Sequence, residues 1–265
     1  MVSWIAWVVV VVGAAMLGHG IVQGIATRAV MGWAIVSYAM TLRTYAPLGA
    51  LLQPREPLTI DERVWGATWT VFSGTAVLAL LLAIHWAHRT GEPRWIASGP
   101  MSRHLVILGI TAVVSVVVLR VVHLPGPELK PSTDFLNDYG GDWRVLIYQV
   151  VFAAWQGIPL AALGFMTWRY RRGVAPWVIA AGCVCGLFWA VWKLVGECVR
   201  FFGGQKIPAA SPVSIASGAA ALVLIVAGLL IGITTSTVRR AREQRWYTQA
   251  RQADDDRHYA RRDAA

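Results

Sequence analysis

The chain has 265 residues, 56% of them hydrophobic and 14% charged, with a formal net charge of +10, and its mean hydropathy is +0.52. A soluble domain has no use for so many apolar runs of twenty-odd residues, whereas one helix of that length just crosses a bilayer core of roughly 30 Å. The composition therefore excludes a water-soluble globular fold. The basic excess sits in short connections and the last thirty residues, which is the pattern that membrane insertion selects, so anionic lipid headgroups rather than nucleic acid are the expected partner.

Seven spans are predicted in chain order. The first runs from about Trp4 to Ile25, has neither a basic n-region nor a small-residue cleavage site, and reads as an uncleaved anchor ended by Arg28. The second, about Ala29 to Ala46, is short, contains Arg43 and stops at Pro47, which removes a helix donor. Gln53–Arg63 then holds three acids against two arginines. The third span covers about Trp65 to Trp86 and leads into His88–Arg103, with three arginines and one acid. The fourth, about Leu105 to Val122, precedes His123–Arg144, which is rich in Pro, Gly and Asp and holds four acids against two bases. The fifth, Val145 to Met166, contains Pro159 and ends in the basic turn Trp168-Arg-Tyr-Arg-Arg-Gly. The sixth starts near Val174 and reaches about Glu197, and the seventh runs from Val213 to Thr235 and ends at Arg239-Arg240.

Loop charges set an orientation. Arg28, the 88–103 loop (net +2), Arg169, Arg171 and Arg172, and the arginine-rich tail fall on one side, and the acidic loops fall on the other, with Arg200 and Lys206 as exceptions. Positive-inside counting then places the amino terminus outside and the carboxyl terminus in the cytoplasm of a plasma-membrane protein. Trp65, Trp86, Trp143, Trp168 and Trp177 fall near the expected water–lipid boundaries, where an amphipathic ring is comfortable. The architecture read from this pattern is an all-α, polytopic helix bundle over 1–238, followed by a short cytoplasmic tail over 239–265 with eight arginines and five acids.

Charges inside spans are costly and usually face protein or water. Arg43 lies in the outer part of the second span and Arg120 near the outer end of the fourth. Lys193 and Glu197 are four apart on the sixth, hence on one face and able to pair. Gln149 sits at matching depth on the fifth. These five are the candidate ligand-binding residues, as the lining of an outward polar cavity that takes an anionic solute or lipid headgroup. The bland alternative is that the arginines snorkel and Lys193 and Glu197 merely pair to hold helices together.

No catalytic motif is evident, and neither a metal site nor a cofactor is expected. His85, His88 and His104 gather at the cytoplasmic ends of spans three and four, and Cys183-x-Cys185 points two ways on one helix. Those two cysteines and Cys198 read as buried thiols. Gly182-x-x-x-Gly186 permits close helix approach, within the chain rather than in a dimer, and Ala154, Gly157 and Pro159 mark a second contact. A homo-oligomer or a cytoplasmic protein partner is left open.

Pro131-Ser-Thr-Asp-Phe135, Tyr139, Trp143 and Tyr148, Trp168-Arg-Tyr170, Gly182-x-x-x-Gly186-Leu187 and Lys193 together resemble the membrane domain of an uncharacterised actinobacterial family of seven-span proteins, often labelled as transporters. The resemblance covers roughly Pro131 to Val195, and the first hundred residues match only in hydropathy. It implies transport without a substrate. Members of that family carry a longer cytosolic region after the last span, and the resemblance implies nothing about a function housed there. The function expected is transporter-like handling of a small anionic solute or lipid headgroup, not enzymatic. The alternative is a membrane sensor or adaptor whose tail binds a partner.

Overall fold

The computed structural model describes residues 2–23, 26–45, 60–90, 99–122, 138–169, 173–204 and 212–263. Side chains at several helix ends, among them that of Arg43 and those of 239–245 and 248–263, lie outside that description, as do most of the connections whose charges set the expected orientation. The described residues form an all-α structure of seven helices: α1 (Val2–Val22), α2 (Ala26–Tyr45), α3 (Ile60–Thr90), α4 (Gly99–Val122), α5 (Trp143–Arg169), α6 (Ala175–Gly203) and α7 (Pro212–Asp263). Five contain stretches long and apolar enough to cross a membrane: Asp61–Trp86, Ser102–Val122, Trp143–Arg169, Ala175–Gly203 and Ala216–Val238. α1 and α2 contribute the shorter apolar stretches Trp7–Val22 and Ala29–Thr41. These helices fit an integral membrane protein.

Most helices run past the predicted spans, because apolar residues mark the bilayer whereas the backbone ladder continues through capped polar turns. α3 starts with Asp61 and Glu62 in its first turn, where carboxylates oppose the positive end of the helix dipole. Asp142 caps α5: its Oδ1 accepts the Arg144 amide at 2.9 Å, and its carbonyl accepts from Val145 and Leu146. α6 stops at Gly204, whose φ of 65° is left-handed and whose amide reaches back to the Arg200 carbonyl. α7 does not end at the Arg239-Arg240 pair. It continues to Asp263 as one helix of 52 residues.

Helices pack chiefly in series, α1 on α2, α2 on α3, α5 on α6 and α6 on α7, with α3 also meeting α5 and α4 lying against both. The core sits where α3, α4 and α5 meet, around Ala67, Val71, Ala112, Leu119, Tyr148, Phe152 and Trp155, with Trp189 of α6 against it. In this core the Trp155 indole donates to Ser115 Oγ of α4 at 2.8 Å, and Ser115 donates on to the Thr111 carbonyl. Hydroxyls buried in α3 are satisfied by their own helix, Thr68 through the Val64 carbonyl and Thr70 through that of Gly66. The outer side of α4 presents Val106, Ile110, Val113, Val117 and Val121. An exposed apolar stripe of that length fits a helix that crosses a membrane.

Small residues set the closest approaches. A Cβ on Gly74 of α3 would lie 2.6 Å from the Trp155 carbonyl oxygen of α5. Gly182 faces the Ala221 carbonyl of α7, and Gly186 faces Leu160 of α5 and Ala221. The Gly182/Gly186 pair thus serves contacts within the chain, and with two helices, not one. One expectation is corrected: of the three cysteines only Cys183 is buried, while Cys185 and Cys198 are half-exposed. Cys183 turns toward Gly164 of α5, and a side chain two positions on is rotated away from that contact.

Candidate functional site

The polar groups gather at the end of the helices where α3 and α5 begin and α4 and α6 finish. There the start of α5 is set by Asp142, and Arg144 folds back so that its Nε and Nη2 both donate to the Asp142 carboxylate. This two-point ion pair fixes both side chains. Beside it opens a cleft of about 870 Å³, lined by Val121 and Val122 from the end of α4, by Asp138, Tyr139 and Gly141, by Asp142, Trp143 and Arg144, and by Arg200 of α6. Arg200 is half-buried. Its Nη1 donates to the Gly204 carbonyl, the oxygen that follows the helix stop, while its Nε is buried without a hydrogen-bond partner.

Each residue singled out from the sequence has a distinct place. Arg43 is in the last turn of α2, and its side chain lies outside the described residues. Arg120, in the last turn of α4, lies with its guanidinium carbon 4.3 Å from the centre of the Trp65 ring at the start of α3. Gln149, in the second turn of α5, is 3% exposed, and its Nε2 has no hydrogen-bond partner. Lys193 places its ammonium 4.4 Å from the centre of the Trp189 ring. Glu197 is 0% exposed, and neither carboxylate oxygen has a hydrogen-bond partner. These four described residues are not among those lining the cleft, which Arg144 and Arg200 line instead.

The expected Lys193–Glu197 pair is therefore corrected. The two do share a helix face, but helix side chains lean toward the amino-terminal end, and this carries Lys193 back onto Trp189 and away from Glu197. A cation over an indole ring is favourable by roughly 0.5–2 kcal/mol depending on how far the pair is desolvated, enough to compete with a strained ion pair.

Sequence reasoning missed the ring partners of Arg120 and Lys193 and the Asp142–Arg144 clamp. The clamp had a readable signal, an Asp followed two residues later by Arg at the start of an apolar run, which is an N-cap pattern. Trp189 also had one, since it stands four residues before Lys193. Trp65 comes from a different helix than Arg120 and left no local trace. Chemically the cleft offers one carboxylate–guanidinium pair that is already engaged, the Arg200 guanidinium bonded to a backbone carbonyl, a second carboxylate at Asp138, and the aromatic groups Tyr139 and Trp143. No family model, curated protein or solved structure matches the chain.

Proposed function

We propose that the chain is a seven-span plasma-membrane protein, with its amino terminus outside and its carboxyl terminus in the cytoplasm, that handles a small anionic solute or lipid headgroup in the manner of a transporter. The observation that carries this reading is Arg200, a half-buried guanidinium at the wall of an open cleft, held there by its bond to the Gly204 carbonyl. Asp142 and Arg144 satisfy one another, so Arg200 is the natural contact for a phosphate or carboxylate, and a low-dielectric wall strengthens its field. The resemblance around Pro131–Val195 to a family labelled as transporters favours the same reading.

Full-length protein in nanodiscs tests it, with phosphatidylglycerol in the disc as one ligand and inorganic phosphate in solution as the other. Arg200→Gln is expected to weaken binding of one of them several-fold with expression intact, and which one identifies the source of the anion. Equal binding by wild type and variant would defeat the reading. Orientation is checked in a cysteine-free background. A membrane-impermeant thiol reagent should label a cysteine placed at Ser132 in intact cells and not one at Ser98, and the reverse pattern would invert the topology.

A second reading, a sensor or adaptor, is favoured by the continuation of α7 to Asp263, well beyond its apolar stretch, which ends at Val238. Truncation after Val238 should spare anion binding under the first reading. Under the second it should abolish capture of a cytoplasmic partner.

A further inference from the structure

Glu197 stands apart from the groups at the cleft. It is fully buried in α6, at 0% exposure, and both of its carboxylate oxygens are without a hydrogen-bond partner. Buried acidic groups in native proteins are almost always paired or hydrogen-bonded, because a bare carboxylate in an apolar interior has lost its hydration and gained nothing. An unpartnered one within a membrane-spanning helix calls for an occupant.

The surroundings narrow the choice. On α6 itself the ionisable neighbours are Lys193, held over Trp189, Arg200, three residues on, and the thiols of Cys185 and Cys198. On α5, packed against α6, this end carries Arg144, engaged with Asp142, and Tyr148 and Gln149. On α7, the other packed helix, 212–238 holds no ionisable side chain. No group of three His, Cys, Asp or Glu that could hold a metal ion is present among the described residues, and the nearby Arg200 opposes a second cation. A side chain with no exposed surface also leaves no room for an organic ligand.

We infer that Glu197 is a proton-binding site, exchanging with the cleft by way of the Arg200 turn. A proton needs only one carboxylate oxygen, removes the charge, and comes from cleft water and returns to it, so no other reactant is required. Arg200 is three residues on in the same helix and lines the cleft, which puts the exchange route one helical turn long. Proton occupancy of Glu197 and the state of Arg200 are then linked, because residues three apart on a helix are neighbours and Arg200 also lines the cleft. The inference stands whether or not the cleft takes an anion.

Dicyclohexylcarbodiimide, an apolar reagent that attacks the protonated form of a carboxyl group, tests this on the intact protein in lipid nanodiscs. Mass spectrometry of the wild type should locate an adduct on Glu197 whose yield falls several-fold as the pH is raised and the proton is lost. Glu197→Gln should lack it, and Arg200→Gln should move the pH at which the yield falls. Infrared spectra of the wild type need no reagent access and no variant. The carbonyl band of a protonated carboxyl should follow the same pH course. A Glu197 adduct that is missing or independent of pH, together with no such band, would overturn the inference. So would an adduct suppressed by added sodium ions instead of by raised pH, which would make the occupant a metal cation.

Discussion

Gly74→Val is expected to lower the melting temperature in detergent by roughly 10 °C, whereas Gly109→Val should change it little. Both glycines sit inside apolar helices, so helix propensity treats them alike. Their surroundings differ. A Cβ at Gly74 would meet the Trp155 carbonyl oxygen at 2.6 Å, its indole at 3.0 Å and the Pro159 ring at 3.2 Å, while one at Gly109 would meet nothing within 4 Å. The Trp155 carbonyl is also the one that Pro159 cannot serve as a helical donor, so α5 turns an under-bonded backbone oxygen toward the smallest residue of α3. Backbone cannot rotate away as a side chain can, and the valine must push the two helices apart. Overpacking against backbone belongs at the upper end of the usual range, about 3 kcal/mol, a large share of the roughly 5–15 kcal/mol that holds a typical fold together. Gly74→Ala should fall between the two. Equal melting temperatures for the valine variants would mean that α3 and α5 do not cross at this point.

Element type and position were legible in the sequence for physical reasons that differ along the chain. Runs such as 105–122 and 213–235 read as helices long and apolar enough to cross a membrane, where a helix satisfies its own backbone over that length. Helix ends were less legible, because Asp61, Glu62 and Asp142 extend the ladder beyond the apolar residues used to find it. The tail shows the same logic at larger scale. Arg239-Arg240 ends the lipid-compatible stretch, but the Ala, Arg, Glu and Gln that follow are good helix formers, and α7 continues through them to Asp263.

The candidate site was legible only as an inventory. Counting placed Arg120, Gln149, Lys193 and Glu197 in one half of the bundle. Their partners depend on side-chain lean and on helix neighbours, which period and spacing do not encode. Lys193 had two neighbours at four residues, Trp189 and Glu197, and the tilt of Cβ toward the amino-terminal end selects the ring. Arg120 finds Trp65 only because α3 and α4 run antiparallel in contact. Arg200 looked like an exception to the charge rule, and the structure places it at the cleft wall.

The second large effect is expected at the bond between Trp155 and Ser115. Trp155 is 7% exposed and central to the core, so Trp155→Ala should cost about 3–5 kcal/mol through the cavity it leaves. Its indole N–H also needs an acceptor in this part-buried setting, and Ser115 Oγ supplies it at 2.8 Å. Ser115→Ala removes the acceptor and strands that donor, a loss of about 1–3 kcal/mol. Trp155→Phe removes the donor together with part of the ring. Once the donor is gone, adding Ser115→Ala should cost much less than it does alone. The double variant should therefore be more stable than the two single losses predict, by about 1 kcal/mol or more, because neighbouring groups that share one bond are not additive. Melting curves of the four proteins in the same detergent measure the coupling. Strict additivity would show that the bond adds nothing to the α4–α5 contact, which would then rest on the apolar packing of α4 against the core.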